Sequence, residues 1–199
     1  MDKKFYVCSF GGSGSYLIQG FLKDFGSSYH IHTRNPPAKI TKIKKEQFTT
    51  QEELDDANHF VIFIYSRPDH SLFSRASYGN FHWQNIGVEQ EKLKLIPSRQ
   101  ERLKYFDMEK DLVDFDEFWS NYVFHKSEFP VLCLNFHHLW ENLKSLFDFC
   151  EIPLEHLKSF PKKREFSHKN NLPKDKNNLF ETLNLKIELF PNSFIIPAK

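Results

Sequence analysis

The seven residues His59–Tyr65, HFVIFIY, constrain the fold more than any other stretch of the chain. They are aromatic or β-branched almost throughout, and apolar at odd and even positions alike. A strand alternates its side chains across the sheet, so an uninterrupted apolar run needs both faces buried. Strands of that kind belong to parallel sheets covered by helices on both sides. Phe5–Phe10 and FPVLCLNF (Phe129–Phe136) read the same way, and SYHIHTRNPP (Ser28–Pro37) reads as a second short strand running into a rigid Pro-Pro turn.

Helical patterns alternate with these runs. Leu17, Ile18, Phe21, Leu22 and Phe25 recur at helical spacing, with Gly26 as a stop. A helix is expected from Pro68, proline being favoured in a first turn. DFDEFWSNYVFHK (Asp114–Lys126) predicts an amphipathic helix capped by Asp114 or Asp116. HHLWENLKSLFDFCEI (His137–Ile152) predicts one helix with Leu139, Leu143, Leu146, Phe147 and Cys150 on a single face. A last helix is expected near Leu179–Leu189. Residues 39–58 read as a short helix or surface loop, with Asp55 and Asp56 on a solvated face. Asn80–Asp111 reads as irregular with helical pieces, the expected home of a mobile lid or substrate loop. Alternating strands and helices give an α/β fold, a three-layer α/β/α sandwich with a mainly parallel sheet, and 199 residues make a single domain.

Composition narrows the function classes. The formal net charge is +1, from 27 basic and 26 acidic side chains, which argues against general coating of nucleic acid. Cys8, Cys133 and Cys150 lie in apolar stretches without a CxxC pair, as reduced core residues do. No signal-type apolar segment opens the chain and no run reaches membrane-spanning length, so no membrane association is expected and cytoplasmic residence is.

SFGGSGSY (Ser9–Tyr16) links the first strand to the first helix. Gly11, Gly12 and Gly14 permit backbone conformations closed to other residues, turning N–H groups into one concavity at a helix N-terminus. Such a nest suits a phosphate, and Ser13 and Ser15 add hydroxyls. The loop does not match GxxxxGK[ST], because it has no lysine, which disfavours an ordinary nucleotide triphosphatase. A second anion site is expected at the end of the HFVIFIY strand, where Arg67 precedes a helix carrying Ser71 and Ser74. If instead both arginines there, Arg67 and Arg75, are solvated helix-start charges, that site disappears. Two anion sites at two strand ends suggest a ligand with two separated phosphate groups.

On these residues the chain resembles the sulfotransferase family, which shares the P-loop nucleoside triphosphate hydrolase-like sandwich. The family loop, similar to P-K-S-G-T-T, corresponds to Gly11, Gly12, Ser13, Gly14, Ser15 and Tyr16. The family's strand followed by R-N-P and a later serine resembles the stretch with Pro68 and Ser74, and VLCLNFHHLWENLKSLFDFCEIP resembles its late strand and helix. The resemblance implies 3′-phosphoadenosine-5′-phosphosulfate as cofactor and transfer of its sulfuryl group to a hydroxyl or amine on a small-molecule or carbohydrate acceptor. Two family residues are replaced. The loop lysine falls at Gly12, and the arginine for the 3′-phosphate falls at Ser66, with Arg67 one position late. Arg34, Lys162, Lys163 or Arg164 would have to supply the missing cation, and the basic run PKKREFSHKNN is similar to the C-terminal segment that clamps the 3′-phosphate in part of the family.

Transfer requires a general base. His30 and His32 share a strand face, and His32, nearer the strand end, is the candidate base, with Arg34 as an anion contact. A structural histidine with a satisfied hydrogen bond is the competing assignment. His82, His137 and His138 are weaker candidates. No third residue joins the histidine pair at zinc-ligand spacing, so no metal is expected. Two rivals remain: a non-catalytic nucleotide-binding or interaction module on the same fold, and a divergent P-loop phosphotransferase.

Overall fold

The computed structural model of the chain describes residues 2–37, 57–78, 80–124, 127–163, 172 and 174–198. Five strands form one sheet: β1 (Asp2–Cys8), β2 (Ser27–Ile31), β3 (Ala57–Tyr65), β4 (Val131–Asn135) and β5 (Ser193–Ile196). Their order is β2-β1-β3-β4-β5. The first four run parallel, with Cys8 level with both Ile31 and Phe63, and β5 closes the far edge antiparallel to β4. Of the stretch 39–58, residues 39–56, Asp55 and Asp56 included, lie outside the described residues, as does Arg164, while Ala57 and Asn58 belong to β3 rather than to a loop or helix.

The apolar alternation sorts side chains to two faces. Phe5, Val7, Ile62, Ile64, Leu132 and Leu134 meet Ile18, Phe21 and Leu22 of α1 (Ser15–Leu22) together with Leu139, Leu146 and Phe147. Tyr6, Cys8, Val61, Phe63, Tyr65 and Cys133 face the other way. They pack against α2 (Pro68–Ala76), α3 (Asn80–Asn85), α4 (Gln90–Leu93), α5 (Phe115–Val123) and the last helix. Helices therefore cover both faces of the sheet, as the doubly apolar β3 demanded. Each large side chain buried in this way contributes about 1.5–3 kcal/mol. The three cysteines are free and buried, and no described helix is long and apolar enough to cross a membrane.

Three expectations need correction. Asn80–Asp111 has the expected helical pieces but is largely core rather than a lid: Trp83, Ile86, Val88, Leu93, Ile96, Tyr105 and Phe106 are buried, interleaved with charges that hid their pattern. Asp114 precedes α5 but does not cap it through its side chain; its φ is 55° and its carboxylate binds Lys92 and Arg34. The Asp116 N–H donates to Asp111 Oδ2 at 2.8 Å instead. His137–Ile152 is not one helix. A 3₁₀ stretch, Phe136–Glu141, breaks at Asn142 (φ −113°, ψ 18°) before α6 (Leu143–Phe149), although Leu139, Leu146, Phe147 and Cys150 are all fully buried. The last helix, α7 (Leu179–Glu188), matches its expected span. The four residues of β5 are too short to give a strand signal in the sequence.

Candidate functional site

Strand order decides where a ligand belongs. From β1 the chain moves to β2 on one side, while β3 and β4 continue on the other, so the order reverses between β1 and β3. Open α/β sheets bind ligands outside the carboxyl ends of strands at such a point. The glycine loop leaves β1 there, and Ser66 and Arg67 leave β3 beside it.

The loop is anchored at both ends. Phe10 is inserted among Trp83, Phe115 and Phe118, with ring centroids 4.8–5.8 Å away. Gly14 (φ 69°) opens α1 from the left-handed region, and a Cβ on it would come within 2.0 Å of the Phe136 ring. Gly11 (φ 114°) gives room to another element: its Cβ would lie 1.6 Å from Arg75 Nε. The hydroxyls expected to meet an anion are turned inward. Ser13 Oγ donates to the Gly11 carbonyl at 3.1 Å, Ser9 Oγ donates to Ser15 Oγ at 3.0 Å, and Ser15 Oγ is hydrogen-bonded to His30 Nε2 at 2.7 Å. Tyr16 is 69% exposed and stands edge-on to the His30 ring.

His32 has a defined protonation pattern. Its Nδ1–H donates to the Ser9 carbonyl at 2.7 Å, and its Nε2 accepts from Arg75 Nη2 at 3.0 Å. His82 Nε2–H donates to the Phe10 carbonyl at 3.2 Å. His30, His32 and His82 thus cluster around Arg75, with ring centroids 4.1 Å and 5.7 Å apart. Burial disfavours their cationic forms and the guanidinium adds repulsion. His30 and His82 are each pushed down to about 3, and His32 is lowered by burial against a raising contribution from its Ser9 hydrogen bond. All three are neutral at pH 7, so Arg75 is the charge of this cluster.

Two cavities share a wall made of Gly12 and Ser74. One, of about 220 Å³, is bounded by Gly14, Ser15, Tyr16, Arg75 and Tyr78. The other, of about 210 Å³, reaches Ser66, His70, Arg102 and His137. His137 Nε2 meets Ser66 Oγ at 3.2 Å, and burial, with the neighbouring His70 and Arg67, pushes its pKa down to about 4.

The remaining expected residues scatter. Arg67 is held by Asp69 in a two-pronged contact (Nε–Oδ1 3.3 Å, Nη2–Oδ2 2.9 Å), so a carboxylate stands where a phosphate was expected. With Asp69 it borders a wider cleft of about 770 Å³. Arg34 is committed to Glu117 at 3.0 Å and Asp114 at 3.3 Å, tying the exit of β2 to α5. Lys163 reaches the His137 carbonyl at 3.4 Å and lies 3.8 Å from Glu141. His138 pairs with Glu141 at 2.7 Å. No group of three or more His, Cys, Asp or Glu suited to a metal occurs among the described residues.

Arg75, weighed from sequence only as a solvated helix-start charge, is buried instead. It had a signal: Ser71, Leu72, Arg75 and Ala76 form the buried stripe of α2, so the arginine occupies an apolar position of the helical repeat.

Fold and site together define an α/β protein with a glycine loop and a buried cation at its strand-order switch point. Comparison with family models, curated proteins and solved structures gave no match.

Proposed function

We propose that this chain binds a nucleotide carrying anionic groups at two ends, of the 3′-phosphoadenosine-5′-phosphosulfate type, across the two cavities that share Gly12 and Ser74. The observation that carries this reading is the pair of cavities at the switch point, one holding Arg75 and the other Arg102. The residues fit such a ligand. The glycine loop opens α1 beside the first cavity, where helix N–H groups favour an anion, and Ser66, Ser74 and Arg102 offer hydroxyls and a cation in the second. Arg67, neutralised by Asp69, is not needed for it.

Bound there, the cofactor would supply a sulfuryl group for transfer to a hydroxyl or amine of a small molecule or carbohydrate, on a sandwich of the P-loop type. In this reading His32 would take the acceptor's proton at Nε2, which requires that nitrogen to leave its hydrogen bond with Arg75. A second reading, binding without turnover, is favoured by Gly12 at the lysine position and by the engagement of His32 Nε2 in the free protein.

Calorimetric titration with adenosine 3′,5′-bisphosphate, against ATP with magnesium, tests the proposal. Binding of the bisphosphate in the micromolar range, weakened at least tenfold by Arg102→Ala, is the expected result. Preference for ATP with magnesium would indicate a phosphotransferase, and absence of bisphosphate binding would sink the reading. Incorporation of labelled sulfate across an acceptor panel then separates transfer from binding alone.

A further inference from the structure

Arg75 is only 8% exposed, and it has no carboxylate partner among the described residues. Its Nε is buried without a hydrogen-bond partner. Burying a cation without a counter-ion is costly, and a bound anion is one of the few things that offsets that cost. The surrounding polar groups do not supply an anion: His32, His30 and His82 are neutral, Ser15 is turned toward His30, and Tyr78 offers only its ring, 5.4 Å from the guanidinium. Gly11 keeps this space open, since any side chain there would strike the guanidinium.

The geometry points to Arg75 as the cation that holds a tetrahedral oxyanion, sulfate or phosphate, at the mouth of the glycine loop, in place of the lysine that the loop lacks. The charge comes from α2 and the cradle from β1–α1. An arginine suits the position because its planar fork can hold two oxygens while its stem stays packed. One consequence follows for His32. Nη2 carries two hydrogens, so an oxyanion on this guanidinium shares the nitrogen that donates to His32 Nε2, and its negative charge beside that hydrogen bond perturbs the imidazole. The inference rests on the loop being the anion site of the proposed function, but it does not require a nucleotide.

The test uses inorganic sulfate and adenosine 3′,5′-bisphosphate as separate probes, titrated into the wild type and Arg75→Met, with folding checked by circular dichroism and urea unfolding. Arg75→Met is expected to weaken sulfate roughly ten- to hundredfold, the range for losing a charge-assisted hydrogen bond. Loss of sulfate binding in the variant, with no nucleotide binding by the wild type, would uphold Arg75 and overturn the nucleotide reading. Equal sulfate binding by both proteins overturns the assignment of Arg75, as does absence of sulfate binding to the wild type. If the variant does not fold, the histidine ¹⁵N resonances of the wild type decide. Saturating sulfate is expected to shift His32 Nε2 while leaving His82 Nε2 near its free position, and an unmoved His32 overturns the inference.

Discussion

Arg75 and Gly11 behave as one device, in which a missing side chain on one segment makes room for a charged one from another. Neither half is interpretable alone. A glycine in a strand–loop–helix reads as a conformational requirement, and an arginine in a helix reads as solvated charge. Gly14 differs in that its role is steric and conformational at once. Gly14→Ala would force a non-glycine residue to φ 69° and drive a methyl group into Phe136. Strain and overpacking together are expected to cost at least about 2 kcal/mol, measured as a lowered urea midpoint. His32 was legible as a functional candidate from its place near a strand end, whereas its engagement by Arg75 was not, because the partner lies 43 residues away.

At the scale of elements, α5 shows how a local signal can be assigned to the wrong residue. Three aspartates, Asp111, Asp114 and Asp116, crowd its start, and sequence alone offers Asp114 or Asp116 as cap. The Arg34–Asp114–Lys92 cluster draws Asp114 away, and Asp111 takes the role. Asp111 is partly buried and its second oxygen, Oδ1, lacks a partner, so burial raises its pKa despite the backbone hydrogen bonds that lower it. Asp111→Ala is expected to destabilise by about 1 kcal/mol through loss of the cap. Asp111→Asn keeps an acceptor and removes a poorly solvated charge, so it is expected to be neutral or stabilising at pH 7. Thermal unfolding of the two variants side by side checks both. The broken helix at Asn142 and the four-residue β5 escaped sequence reading for a common reason. Short elements are held by tertiary pairing, β5 by its register with Val131–Leu134, rather than by a repeat long enough to recognise.

For the molecule as a whole, His82 and three partly buried histidines set the response to acid. His30 and His82 (each about 3) and His137 (about 4) stay neutral in the folded chain well below 6.5, where the unfolded chain takes up protons, and burial shifts His32 in the same direction. The unfolded state therefore binds more protons in this range, and stability falls as pH drops from 6.5 toward 4. Urea midpoints measured across that window are expected to decline steeply. The slope should be reduced by up to one proton for each of His82→Gln and His137→Gln, and an unchanged slope in both variants would contradict this origin. The sequence by itself determined the sandwich, because doubly apolar strands alternating with amphipathic helices can be satisfied only by a sheet covered on both faces. It also located the glycine loop at the end of β1, since strand, glycines and helix are contiguous. Only the tertiary structure decided the strand order, and with it which loops meet. Only it placed Arg75 against the loop, neutralised Arg67 with Asp69 and tied Arg34 to Asp114 and Glu117. The choice among cations depends on which carboxylates reach each one, and those partners come from segments that only folding brings together.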